Sequence, residues 1–352
     1  MSDDLRFGLL AEHEQPLWDT FAAAHPRSDF AQASAWGRVK ARGEWQAVRA
    51  GVFAADSLVA GAQVLVRPLP GGRSLAYACR GPLVDLETLD GAAARATLFD
   101  GLERYCRERN AICLKCDPCV AAEHTRFLEL CGLRRAGGHS SFGGTQPRFV
   151  MRLDLRPGAE AVFGGFRPDY RNRIRKGERR GVTVRAARDD DWAPWYELLL
   201  ETAERQTFRV RARSYFEAVR DELRDACAAR LLLAEREERL VGGILCVAYG
   251  GTVWYLYGAM NDEGREHYSG YLLQWEAMRW ALERGAHTYD FRGVAPPDQT
   301  ESHLYNLNRF KSGFGPELVE WVGEWDLVLA PLWYRGFTVL LPRARAWLKR
   351  RR

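Results

Sequence analysis

The feature that most restricts how this chain can fold is the order of its hydrophobic periodicities. Residues 160–181 read as a helix, with Phe163, Phe166, Tyr170 and Ile174 on one stripe, and 192–205 and 214–225 repeat the helical period. Residues 229–236 and 240–249 alternate across a charged turn, which predicts an antiparallel hairpin, and 252–260 reads as a further strand. A glycine-bearing loop over 261–270 then leads into a helix over 271–285 and a strand over 287–291. A fainter pass of the same grammar comes first. It has strands at 46–54, 57–68 and 74–78, a helix over 91–109 with Leu98, Leu102 and Tyr105 on one face, and a strand at 111–116. A short helix over 125–131 and a strand over 149–155 complete it. The expected class is α/β (α+β), with mixed sheets flanked by helices in two tandem domains, 1–150 and 151–316. At ~100–200 residues per domain, a chain of 352 residues suits two.

Two helices, a hairpin, a strand, a loop, a helix and a strand is an order that resembles a GNAT-type acyltransferase core. Fold analogy alone points no further than acyl transfer. An acyl-CoA site on such a core needs a Gln/Arg-x-x-Gly-x-Gly/Ala loop whose amides meet the pyrophosphate at a helix N-terminus. Here the loop reads NDEGREHYSGYLL, which has two glycines in other positions and acids that repel an anion. Arg135-x-x-Gly138-x-Ser140 ends in the wrong residue and precedes no helix. A different acyl donor is expected.

Charge narrows the donor. The formal net charge is +5, but residues 167–180 hold seven cations against two acids, and 343–352 hold six cations and no acid. The remainder, 38 cations against 44 acids, is mildly acidic. Localised positive charge predicts a polyanionic partner, while a single basic run can equally be a solvated helix face. Only five cations are lysine, and isoleucine (three) and asparagine (five) are scarce too. Lys176 and Lys349 sit in basic runs and look exchangeable with arginine, which leaves Lys40, Lys115 and Lys311 as lysines kept for a compact charge.

Cys113-x2-Cys116-x2-Cys119 has the spacing of a metal site, yet AICLKCDP reads as a strand that turns Cys113 and Cys116 to opposite faces. The clustered cysteines, Cys106, Cys113, Cys116, Cys119 and Cys131, are therefore expected to be small buried hydrophobes, with no metal and no cofactor. The longest apolar stretches, such as 240–248, fall short of the ~20 residues of a membrane span. MSDDLRFG lacks the apolar run of a secretory signal, so a cytoplasmic location is expected.

Several segments together resemble the Fem family of peptidoglycan-bridge aminoacyltransferases: FAQASAWGRVK (30–40), LAYACRGPLVD (75–85), LKCDP (114–118), RNRIRKGERRGV (171–182), ETAERQTF (201–208), WYLYGAM (254–260), YDFRGV (289–294) and LYNLNRFKSGFG (304–315). They occur in family order over nearly the whole chain. The resemblance implies two GNAT-like domains and transfer of a small amino acid (Gly, Ala or Ser) from aminoacyl-tRNA to a stem-peptide amine. The acceptor would be lipid II or UDP-MurNAc-pentapeptide. The chain has no room for the helical arm of longer members and is similar to the short, FemX-like form. In that form the strand after FKSGFG, here 317–328, returns to the first domain, so that 317–352 belongs with 1–150.

The same resemblance gives residues their expected roles. Lys40, close to Trp36, and Arg205 would contact the acceptor pyrophosphate. Lys40 would equally serve as a helix C-terminal cation, and Arg205 as a partner of Glu201. Tyr215, Tyr255 and Tyr257 would line the acceptor channel. Alternation on WYLYG places Tyr255 and Tyr257 on one face, where sheet packing is the competing reading. Lys311 would stabilise the oxyanion of ester aminolysis. Asp117 would orient or deprotonate the attacking amine, or simply make an Asp-Pro turn. Arg171, Arg173, Arg175, Lys176, Arg179 and Arg180 would meet the tRNA. The tail cations, with Trp333, Phe337 and Trp347, fit either the inner membrane surface or the tRNA acceptor stem. Two rival functions remain: an acyl-CoA- or carrier-dependent N-acyltransferase on another amine, and a non-catalytic RNA- or precursor-binding protein.

Overall fold

Residues 5–86, 91–136, 145–206, 208–299, 301 and 305–340 are described by a computed structural model. The basic tail with Trp347, and Gly138 and Ser140, lie outside these residues. The chain begins with β1 (Leu5–Leu9), α1 (Gln15–Ala24), α2 (Ser34–Ala41), β2 (Gln46–Ala54), β3 (Ser57–Leu69) and β4 (Arg73–Ala78). Next come α3 (Ala92–Glu108), β5 (Ala111–Cys116), α4 (Arg126–Leu130) and β6 (Arg134–Arg135).

β7 (Phe149–Asp154) opens a second series, followed by α5 (Ala159–Gly165), α6 (Pro168–Arg179), β8 (Val182–Ala186), α7 (Trp192–Gln206) and α8 (Arg213–Leu223). β9 (Arg230–Arg236), β10 (Arg239–Tyr249), β11 (Thr252–Met260), α9 (Asp262–Glu266) and α10 (Ser269–Glu283) continue it. It closes with β12 (Thr288–Gly293), α11 (Tyr305–Ser312) and β13 (Glu317–Glu320). β14 (Trp325–Val328) and α12 (Pro331–Arg335) then rejoin the first series.

Two compact units result. One takes the chain through Ala136 with 145–146 and the residues from 321 onward, and the other takes 147–320. Their sheets run β1-β2-β3-β4-β5-β14-β6 and β8-β9-β10-β11-β12-β7-β13. Both show the same sequence of pairings: three antiparallel steps, one parallel step (β4–β5, β11–β12) across a helical crossover, then two antiparallel steps. The fold is two tandem GNAT-like domains.

In the first unit, β3 is buried without interruption from Ala60 to Val66, because helices cover both of its faces. Ala60, Ala62, Val64 and Val66 meet the α3 side, while Gly61 and Gln63 meet Trp18 and the turn before α2. In the second unit, an aromatic cluster of Phe166, Tyr170, Tyr271, Phe291, Phe310 and Phe314 ties α5, α6, α10, β12 and α11 together. Edge-to-face contacts dominate that cluster, with centroids of 4.8 Å for Tyr170–Tyr271 and 5.1 Å for Tyr170–Phe314.

Three sequence expectations need correction. The helix expected over 160–181 is two helices, broken where Arg167 is extended ahead of Pro168 at the first position of α6. The expected loop 261–270 contains α9, capped by Asn261 accepting the Gly264 N–H at 2.8 Å, and α10 begins at Ser269. The expected strand 317–328 is two strands in two sheets: β13 pairs with β7, and the crossover to the first unit comes after Glu320. Among the described residues, no helix is long and apolar enough to cross a membrane.

Candidate functional site

In the first unit, residues 30–32 form a 3-10 turn that a pair of buried glutamines holds to the sheet. The Gln63 N–H donates to Gln32 Oε1 at 2.8 Å, and Gln32 Nε2 donates to Cys79 O at 2.6 Å. A Cβ on Gly37 would stand 2.6 Å from Gln63 Oε1 and 2.8 Å from the Ala47 Cβ, so glycine is what lets α2 lie flat on the sheet. That placement buries Trp36 edge-on against Phe30 (5.1 Å) and sets Lys40 Nζ 4.9 Å over the Trp36 ring, in the last turn of α2. The lysine head group is thus held by a cation–π contact while remaining partly exposed.

Asp117 follows β5 and is buried. Its Oδ1 accepts the Arg80 N–H at 2.6 Å, and its Oδ2 accepts the Tyr77 hydroxyl at 2.7 Å. Arg80, also buried, has φ +56°, a backbone region disfavoured for a non-glycine residue. Burial pushes the Asp117 carboxyl up to about 6, against the pull of the Arg80 charge and the Tyr77 hydrogen bond. The carboxylate fixes the turn after β4. Lys115, directly opposite Asp326 in the β5–β14 ladder, lies 2.9 Å from that residue and 3.0 Å from Glu324. Its retention as lysine is explained by this buried ion triad. Cys113 and Cys116 pack into different clusters, and burial raises both thiols above their ordinary range.

In the second unit, Lys311 is only 5% exposed. Its Nζ donates to Gly293 O at 2.7 Å and stands 5.8 Å from the Tyr255 ring centre. The FKSGFG motif builds this position. A Cβ on Gly313 would fall inside the Tyr170 ring, and Gly315 takes φ +78°. Arg167 N–H donates to Gly313 O at 3.0 Å, and the Tyr170 hydroxyl donates to Arg309 O at 3.0 Å, so α6 and α11 are held together. Asn308 exchanges two 2.9 Å hydrogen bonds with the Ala295 backbone, which anchors the chain that presents the Gly293 carbonyl. Arg292 has φ +61°, and its N–H donates to Asp290 Oδ1 at 2.6 Å. Each unit therefore holds an arginine in the left-handed region through an aspartate on its N–H. Burial pulls the Lys311 amine down to about 7, with Asp290 opposing and Arg292 adding to the shift.

Tyr255 and Tyr257, expected on one face of the strand, do not share it. Tyr257 pairs with Leu245 and Tyr255 with Cys246, so Leu256 is an extra residue in a β-bulge. One extra residue inverts the alternation. Tyr255 joins the α10–α11 side near Lys311, whereas Tyr257 packs on Phe216 (4.9 Å) and Tyr215 (6.4 Å) beside α7 and α8. Burial and the neighbouring Tyr257 raise the Tyr215 hydroxyl well above its ordinary range. Arg205 donates to Met260 O at 2.5 Å and lies 3.8 Å from Asp262, while Thr202 accepts the Met260 N–H at 3.1 Å. Thr202-x-x-Arg205 thus ties α7 to the end of β11, and Arg205 is partnered there and not by Glu201.

The six arginine-helix cations divide. Arg171 donates to Gly164 O (2.8 Å) and Arg180 to Glu266 O (2.9 Å). Arg175, Lys176 and Arg179 are exposed, with Lys176 Nζ 5.6 Å from the Tyr268 ring. Arg173 donates to the Tyr271 hydroxyl and lines a cavity of about 290 Å³ with Arg167, Tyr170, Tyr271, Arg309 and Phe310. Asp169 is the one carboxylate among the residues lining it. Here α6 lies against the α9–α10 turn: a Cβ on Gly177 would be 3.1 Å from His267 O, and Tyr268 enters α10 at φ +62°. Contact between α6 and the α9–α10 turn thus runs through the Glu266 and His267 carbonyls and the Tyr268 ring.

Tyr170, Tyr271, Arg309 and Asn308 were missed by the sequence reading. Asparagine is as scarce as lysine in this chain, so the scarcity argument applied to lysine would have found Asn308 as well. The aromatic residues gave no signal distinct from core.

Fold and site together define a tandem GNAT-fold protein with a basic, aromatic cavity in its second unit. The FemAB family model matches residues 14–237 and 221–341. A lipid II:glycine glycyltransferase of Staphylococcus saprophyticus is 26% identical over 90% of this chain and 92% of its own length. The crystal structure of FemX superposes with a TM-score of 0.85 at 24% identity, covering 94% of this chain and 99% of FemX. A tandem GNAT protein from the clavulanic acid biosynthesis pathway superposes at 0.54 with 16% identity, over 92% and 98% of the two chains. The chain belongs to the FemAB family.

Proposed function

We propose that the protein is an aminoacyltransferase that moves a small amino acid from aminoacyl-tRNA onto the stem-peptide amine of a peptidoglycan precursor, building the cell-wall cross-bridge. The glycyltransferase relatives, named for lipid II as their acceptor, favour the lipid-linked precursor over the nucleotide-linked one. The observation that carries the donor assignment is the packing of α6 on the α9–α10 turn. Arg180 and Lys176 close on that turn through the Glu266 carbonyl and the Tyr268 ring, and the turn lacks the glycine spacing with which an acyl-CoA enzyme frees helix amides for pyrophosphate. Beside it, the cavity of Arg167, Arg173, Arg309, Tyr271 and Phe310 suits phosphate and a stacked base.

In this reading the acceptor amine attacks the ester carbonyl carbon, and the Lys311 ammonium stabilises the tetrahedral oxyanion. Collapse breaks the bond to the ribose oxygen, which takes up a proton, and the amine loses one as the amide forms. Asp117 orients or deprotonates the attacking amine, Lys40 with Trp36 and Arg205 contact the acceptor pyrophosphate, and the exposed cations of α6 meet the tRNA backbone. Tyr257 with Tyr215 lines the acceptor channel on one face of β11, and Tyr255 contributes from the other face, beside Lys311. Arg173→Glu/Arg309→Glu is expected to weaken binding of a charged acceptor-stem RNA about tenfold or more and to flatten its salt dependence, read by filter binding across a salt series. Acetyl-CoA is expected to give no heat of binding in calorimetry. Tight acetyl-CoA binding with RNA affinity unchanged in the variant would favour the acyl-CoA alternative.

A further inference from the structure

Residues 331–340 are apolar on more than the side that packs. Tyr334 and Phe337 seat against Leu75, Ile112 and Cys113, and the Tyr334 hydroxyl donates to Asp326 Oδ2 at 2.7 Å. Leu332, however, is 88% exposed, Leu340 58% and Trp333 46%. The outward side of a surface helix in water is normally polar, and clustered exposed apolar groups mark an interaction surface. Cations border this one: the Arg73 guanidinium sits 5.2 Å over the Trp333 ring, and Arg335 is on the same element. The sequence that follows, 341–352, brings six cations, no acid, and Leu341, Trp347 and Leu348.

We propose that Leu332, Trp333 and Leu340, with Arg73 and Arg335, form a docking surface for an anionic phospholipid bilayer. The leucines enter the boundary of the acyl region, the indole sits at the headgroup level, and the cations face lipid phosphates. An RNA partner would use the cations but leave the leucines in water, so the apolar side chains decide for the bilayer. The inference goes beyond the transfer reaction, since docking requires neither donor nor acceptor.

The test is flotation of the full chain with vesicles of phosphatidylglycerol and phosphatidylcholine, against vesicles of phosphatidylcholine alone. The wild type is expected to bind the anionic vesicles, less so as salt rises. Leu332→Glu/Leu340→Glu is expected to lose about tenfold or more in partitioning, with its melting temperature and its charged-RNA binding unchanged. Failure of the full chain to float would overturn the proposal, even if a chain truncated after residue 340 did bind. Equal flotation of variant and wild type would overturn it too, by assigning binding to the tail cations alone. So would a loss of RNA affinity in the variant with no change on vesicles.

Discussion

Lys311→Met is expected to lower kcat for aminoacyl transfer by about 10²–10³-fold, the effect of removing one preorganised oxyanion donor. Its melting temperature should stay within a few degrees of wild type. The separation follows from burial: folding draws the amine from its ordinary value down to about 7, so the charged lysine adds little to stability near neutrality. The sign of the pH dependence is fixed as well. The useful form is the ammonium, present below about 7 and lost above it. The rate ratio of wild type to Lys311→Met should therefore be largest in mild acid and shrink as pH rises through 7, because deprotonation of the acceptor amine affects both proteins alike. Single-turnover rates across that range measure the ratio. A ratio near one at every pH would remove Lys311 from the chemistry and favour a binding protein.

Lys115→Met is expected to show the reverse, a large loss of stability with no direct effect on the reacting groups. The variant leaves Glu324 and Asp326 as buried carboxylates without their cation, and removing one partner of a buried ion pair costs about 3–5 kcal/mol. For domains of this size that corresponds to a fall of roughly 10 °C in melting temperature, read by calorimetry. The pair holds the Lys115 amine above its ordinary range and the Glu324 carboxyl below its own. Its contribution is therefore present through the neutral range. It fades as pH falls through the depressed Glu324 value, or rises through the elevated lysine value. Because the triad spans β5 and β14, the melt should begin with release of the returning strand, detectable as early exposure of Trp325.

Much of the fold was legible because period 2 and period 3.6 alternate cleanly in this sequence. The hairpins at 46–69 and 230–249 and the helices at 92–108 and 192–206 lie within a residue or two of where the pattern puts them. What escaped depends on single residues or on distant partners. Pro168 broke a continuous apolar stripe at a point where only the backbone preference of Arg167 carried a signal. The stretch 317–328 reads as one strand because its apolar content suits either sheet, and the division after Glu320 depends on partners over 150 residues away. The bulge at Leu256 is invisible to alternation, yet it moves Tyr257 to the opposite face from Tyr255 and Lys311. Two of the retained lysines have a structural reason for their place: Lys311 is buried on a backbone carbonyl, and Lys115 centres an ion triad.

The most direct measurement is reconstituted transfer with purified protein, lipid II and tRNA charged with radiolabelled glycine, alanine or serine. Label is expected in the lipid-extractable product with at least one of these amino acids. Ribonuclease treatment of the donor beforehand should abolish it, and Lys311→Met should slow it by the margin given above. Absence of label with every charged tRNA, under conditions where an authentic lipid II:glycine glycyltransferase labels the same acceptor, would contradict the proposed reaction.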